Sequence, residues 1–168
     1  IFTSGGCVLY SNSATLTVNC PYNLNTTVAT DVTCTATSTN STVTLTGLNG
    51  STGLPNGTYT ITYNRSLPSA TGLTASMTVS GGTGTGNFTA PGFTTKGSSL
   101  ITVTNIATTG CSKPISTNNV DSVVVTVPPA ITTQPVAQTI TYGDDATFSV
   151  VATDAATYQW QVSVNGGS

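Results

Sequence analysis

Apolar and polar positions alternate with a period of two along much of this chain. The pattern is clearest in Thr42-Val43-Thr44-Leu45-Thr46, where Val and Leu take one face and Thr the other. It recurs in Thr58-Tyr59-Thr60-Ile61-Thr62-Tyr63, in 73–79, in Leu100-Ile101-Thr102-Val103-Thr104, and in 120–127. Successive side chains of a strand point to opposite faces, so each run predicts a strand with one buried and one solvated face. No window carries the 3.6-residue period of an amphipathic helix. Turn chemistry separates the runs at Asn49-Gly50, Pro55-Asn56-Gly57, Gly81-Gly82 and Pro91-Gly92. Short strands spaced by turns predict an all-β protein, an antiparallel sandwich or barrel.

Two joints divide the pattern. At Val127-Pro128-Pro129-Ala130 two prolines end the strand ladder and hold an extended, stiff connection. A second joint is expected at Asn19-Cys20-Pro21. The division is then a leftover strand over 1–19 (its alternating part Ser11 to Asn19), a full domain over 20–129, and the first strands of another over 130–168. That is the pattern of a slice through a longer tandem array. The outer pieces are too short to bury cores of their own. A lone strand at 11–18 is an unpaired edge that must be disordered, pack on the middle domain, or pair with another chain by strand complementation.

Composition narrows the class. Only 5% of residues are charged, which ordinarily goes with poor solubility. Thr, at 38 positions, supplies polarity instead, and its branched Cβ favours strands. The surface expected is that of a secreted β-protein, and the alternating runs argue against disorder. The net charge is -2, with Arg65, Lys96 and Lys113 as the basic residues, so the footprint of a nucleic-acid binder is missing. No stretch is long and apolar enough to insert in a membrane as a helix. No signal sequence is recognisable at the N-terminal end, and for a secreted chain it is expected upstream of residue 1.

Candidate chemistry is sparse. There is no His and no Glu, and Asp144-Asp145 is the one adjacent acidic pair. Neighbouring strand residues point apart, and in a loop such a pair is solvated, so no acid–base dyad forms and an enzyme is not expected. No cofactor is expected. Calcium comes nearest, because Asp144, Asp145 and Asp154 can converge at one end of the last domain; no Asp-x-Asp-x-Asp run supports it, and turn capping is the default reading. Lys96 and Lys113 lie near Gly or Pro in apparent loops, poor places for an isopeptide crosslink. Six Asn-x-Ser/Thr sequons occur in a chain whose composition alone yields several. Tyr59, Tyr63, Phe88 and Phe93 read as core rather than as a sugar platform. Cys7, Cys20, Cys34 and Cys111 form no C-x-x-C pair and have no His to share a metal, so one or two disulfides are expected rather than zinc; four cysteines allow three pairings.

A resemblance adds detail. Gly143-Asp144-Asp145-Ala146-Thr147-Phe148-Ser149-Val150, followed by Tyr158-Gln159-Trp160-Gln161, resembles bacterial immunoglobulin-like domains. It implies that Phe148 and Val150 lie on strand B and that Trp160, on strand C, fills the core between two sheets. Tyr142 stands where that family often has a Cys. Residues 40–127, with Leu54-Pro55-Asn56-Gly57-Thr58-Tyr59 and Gly110-Cys111-Ser112, resemble the Thr-rich repeats of very large Bacteroidota cell-surface proteins, the SprB-like gliding-motility adhesins. Residues 11–19 resemble the final strand of another immunoglobulin-like domain. The resemblance implies tandem immunoglobulin-like β-sandwiches, export by the type 9 secretion system, and a place at the cell surface. It puts Cys20 (start of strand A) and Cys111 (between strands F and G) at one pole, and so implies a Cys20–Cys111 bond; Cys20–Cys34 is the rival, with Cys7 pairing elsewhere. Asp121-Ser122-Val123 resembles the lineage's O-glycosylation motif and makes Ser122 a candidate. The function expected is a structural segment of a surface adhesin or filament, its partners neighbouring domains or copies of itself. The alternatives are a module binding a surface glycan or polymer, and an accessory domain of a secreted hydrolase.

Overall fold

The computed structural model describes residues 2–4, 7–9, 20–33 and 39–162. Two short strands, β1 (Phe2–Ser4) and β2 (Cys7–Leu9), pair antiparallel near the N-terminal end. The main body is built from β3 (Leu24–Ala29), β4 (Val32–Thr33), β5 (Ser41–Gly47), β6 (Gly57–Ser66), β7 (Ser69–Val79), β8 (Thr85–Ala90), β9 (Gly97–Thr108), β10 (Cys111–Pro114) and β11 (Val120–Thr126). These form one mixed sheet in the order β3-β5-β8-β7-β6-β9-β11-β4, with β10 hairpinned onto β9.

All five alternating runs lie in strands: β5, β6, β7, β9 and β11, the last ending at Thr126. In β5 the prediction of faces holds side chain by side chain, with Val43 and Leu45 fully buried and the Thr residues between them outside. Four strands carry no comparable signal. β8 does alternate, but its inward positions are Gly86, Phe88 and Ala90, and two of these are too small to register as apolar. β3, β4 and β10 are short or interrupted. The expected strand over 11–19 lies outside the described residues.

The sheet curls until its ends meet. β3 belongs to one end and pairs with β5; three residues later β4 belongs to the other end and pairs parallel with β11. This parallel pair makes the sheet mixed, where alternation and turns predicted purely antiparallel strands. Side chains close the seam. The Ala29 N–H donates to Asp121 Oδ2 (2.7 Å) and the Val124 N–H to Asp31 Oδ1 (2.8 Å). Thr27 Oγ1 donates to the Asn118 carbonyl (2.8 Å), and Asn118 Nδ2 donates to the Leu24 carbonyl. Inside the curl lies one apolar cluster running from Cys20 to Val125, with Tyr63 and Phe88 packed at 5.2 Å between ring centres.

Polar groups in this interior are satisfied, as burial requires. Ser41 Oγ donates to the Thr30 carbonyl, Ser99 Oγ accepts from the Leu67 N–H, and Asn119 Nδ2 donates to the carbonyls of Val103 and Ile115. One glycine is fixed by crowding. Gly84 has φ +67°, and a Cβ there would sit 2.0 Å from the backbone carbon of Gly50, so the close approach of the Asn49-Gly50 turn leaves no room for a side chain.

After Thr126 the character changes. Residues 127–129 leave the sheet, and β12 (Ala130–Thr133) pairs with β13 (Val151–Thr153) in a separate two-stranded ribbon. No residue of 130–162 belongs to the buried core, while nine of the fourteen large exposed apolar side chains among the described residues lie there.

Candidate functional site

Two poles and one apolar face stand out. β9 is the longest strand, and its ends mark the poles about 35 Å apart at roughly 3.3 Å per residue. At the Thr108 pole, Cys20 and Cys111 are bonded, with a Cα–Cα distance of 5.8 Å. Tyr22, two residues after Cys20, lies edge-on to Tyr59 at 5.3 Å, and its hydroxyl meets Thr108 Oγ1 at 2.9 Å. The Tyr59 hydroxyl donates to the Pro55 carbonyl. Burial, with Tyr22 nearby, pushes the Tyr59 phenol above its ordinary range. Burial does the same to Tyr63, opposed by the Arg65 charge. Of the two pairings kept in view for Cys20, the structure contains the one with Cys111. Cys34 and the side chain of Cys7 lie outside the described residues.

At the Gly97 pole, β4 and β11 run side by side and the chain leaves toward 130–162. Lys96 forms an ion pair with Asp154 across this exit. Arg65 braces the same end: its Nε donates to the Pro68 carbonyl, its Nη1 to the Pro91 carbonyl, and its guanidinium lies 5.4 Å over the Phe93 ring.

The disulfide and the opposite exits define a load path. Tension entering at Cys20 passes through the sulfurs to Cys111 and bypasses the 91-residue separation between them. It then runs along residues 112–126 to the far pole. β11 lies along this path, hydrogen-bonded to β9 on one side and β4 on the other, so tension loads those bonds together in shear rather than one at a time.

The apolar face lies beyond the exit. A cleft of about 520 Å³ is lined by Pro129, Ala130, Ile131, Val150, Ala152 and Trp160, among others. Phe148 and Trp160 meet with their rings tilted by 48° at 6.4 Å between centres, and Trp160 is 58% exposed. Phe148 and Val150 precede β13 rather than lying in it, and Val150 is half-buried. The resemblance implied a Trp160 enclosed between the sheets of a domain of which 130–168 are only the first strands; among the described residues the ribbon of β12 and β13 has no second layer.

The remaining candidates are dispersed. Among the described residues no three His, Cys, Asp or Glu side chains converge. Asp154 faces Lys96, while Asp144 and Asp145 are exposed, the Asp144 N–H closing a turn onto the Thr141 carbonyl. Lys113 reaches Asn23 at the surface. Ser122 points outward from β11 opposite Leu100, between exposed Val120 and Val124, and its neighbour Asp121 is committed to the seam. Tyr59, Tyr63, Phe88 and Phe93 are buried in the core. The seam residues Asp31, Asp121 and Asn118 escaped sequence reasoning; the one available signal was the rarity of carboxylates in the chain. No helix among the described residues is long and apolar enough to cross a membrane.

A scan of the chain against protein-family models, a search of curated proteins and a search of solved structures each returned no match.

Proposed function

We propose that this chain is a load-bearing structural segment of a secreted, modular cell-surface adhesin or filament, supplying reach and contact rather than catalysis. The observation that carries the reading is the load path. Entry and exit at opposite poles, a covalent bypass at one and sheared strands at the other suit a unit strung in series under tension. The disulfide favours an oxidising, extracellular setting. The Thr-rich outer faces and the scarcity of charge favour dense packing of like units without mutual repulsion. The split of one N-terminal strand into β3 and β4 across the two sheet ends favours an immunoglobulin-like sandwich over 20–129, with 1–19 and 130–168 as parts of neighbouring units. On this reading the protein is a relative of the Bacteroidota gliding-motility adhesins, exported by their type 9 route.

Single-molecule pulling on the oxidised chain, tethered near its two ends, tests the proposal. The expected trace has one resolved force peak followed by a short extension, as β11 shears free and residues 112–126 lengthen. Featureless extension without a peak sinks the load-bearing reading.

The exposed pair Phe148 and Trp160 favours a second reading, a module that stacks a glycan on the 130–162 face. Titration with soluble polysaccharides, followed through Trp160 fluorescence, separates the two.

A further inference from the structure

Among the described residues nothing covers the apolar face of 130–162, and the chain itself carries a segment with the chemistry to do so. Residues 11–19 hold no charge, and Ala14, Leu16 and Val18 alternate with Thr15, Thr17 and Asn19. Such a strand offers three apolar side chains on one face and Thr and Asn on the other. The acceptor offers a matching surface: the cleft beside Ile131, Val150 and Trp160, with β12 and β13 each paired on one edge only among the described residues. A free backbone edge beside an apolar cleft suits an added strand, whose N–H and C=O groups extend the ladder. A sugar has no such ladder to offer.

Geometry decides whose strand it is. Val18 is two residues from Cys20, so connectivity keeps it within roughly 7 Å of Cys20, which is bonded to Cys111 at the Thr108 pole. β12 begins four residues after Thr126 at the Gly97 pole, and Asp154 is tied there to Lys96. The poles are roughly 35 Å apart, so a chain cannot lay its own residues 14–18 along its own β12. A second copy can.

We propose that residues 11–19 of one copy dock as an added strand on the 130–162 ribbon of the next. The contact joins unlike ends, so it adds copy to copy and builds a filament wherever the rotation between copies does not close a ring. The inference rests on the reading of the chain as a filament segment and names that filament's joint.

Trp160 is the sole tryptophan and sits on the acceptor face, which makes it a reporter. The expected behaviour of the wild-type chain is growth into end-to-end oligomers with rising concentration in sedimentation velocity, accompanied by a blue shift of Trp160 emission. Leu16→Asp with Val18→Asp disables the donor, and Ile131→Asp disables the acceptor. Each variant alone stays monomeric, and a mixture of the two forms dimers that grow no further; that complementation shows both variants are folded. A synthetic peptide of residues 11–19 blue-shifts Trp160 in the donor variant and leaves the Ile131→Asp variant unmoved. The proposal is overturned if the peptide, in large excess, leaves Trp160 unmoved in the donor variant. Oligomers that persist in either single variant overturn it too. So does a blue shift produced by a soluble polysaccharide and not by the peptide, which assigns the face to a glycan. Failure of the joint is distinct from failure of the load-bearing reading: a monomer that still gives the force peak on pulling retains the latter.

Discussion

Half-buried Asp121 and exposed Asp31 each hold a backbone N–H of the opposing sheet end, and so carry more of the fold than their exposure suggests. Removing such an acceptor leaves a donor without its charged partner, at a cost of about 1–3 kcal/mol. Asp121→Ala is therefore expected to lower the urea midpoint with an unchanged m-value, while Asp121→Asn, which keeps an acceptor oxygen, loses less. A shift no larger than that of Asp144→Ala, on an exposed turn, contradicts this role. The buried phenols set a second expectation. Tyr59 and Tyr63 have their folded pKa raised above the ordinary value of 10.0. Below pH 10 both states hold the proton and stability is at its full value. Above it the unfolded state ionises first, so stability falls as pH rises from 10 through the folded values. Tyr59→Phe is expected to soften that alkaline decline, as measured by denaturant midpoints at pH 9 to 11.

At the scale of elements, the Cys20–Cys111 bond ties the entry of the chain to the hairpin of β9 and β10. Closing a loop with a sequence separation of 91 restricts the unfolded chain by about 4–5 kcal/mol in the chain-entropy account. Cys20→Ser with Cys111→Ser is expected to lower the thermal midpoint sharply while the sheet still forms, because the seam and core do not depend on the sulfurs. Far-ultraviolet circular dichroism checks both halves of that statement. The strands themselves rest on packing. Leu45→Ala in the middle of β5 removes a fully buried side chain and is expected to cost about 2–5 kcal/mol.

For the whole molecule, the covalent bypass makes extensibility depend on redox state. Reduction releases the hidden segment, so pulling the reduced chain is expected to yield roughly 300 Å of additional contour length for the 91-residue separation. Equal lengths with and without reductant would place the load path elsewhere. On the proposed load-bearing reading, this bond keeps each unit short under tension, and the shear of β11 is expected to set the force at which a unit first yields.

Alternation decided much by itself. In β5, β6 and β7 the period of two fixed which side chains point inward, because a strand has only two faces and apolar side chains leave water; in β9 and β11, where apolar residues run together, the fold left Leu100, Val120 and Val124 exposed. Turn residues marked where the chain reverses, and the double proline marked where the ladder stops. Only the tertiary structure decided the rest. The parallel pairing of β4 with β11 joins residues over 90 positions apart, and two residues carry no period. The seam depends on carboxylates whose partners are backbone N–H groups, which no side-chain pattern encodes. The inward face of β8 rests on Gly86 and Ala90, small enough to fit the curl and too small to announce burial. The same holds for Trp160. Its motif gave the residue type suited to a core, but enclosure needs a second layer of strands, and among the described residues the ribbon of β12 and β13 has none.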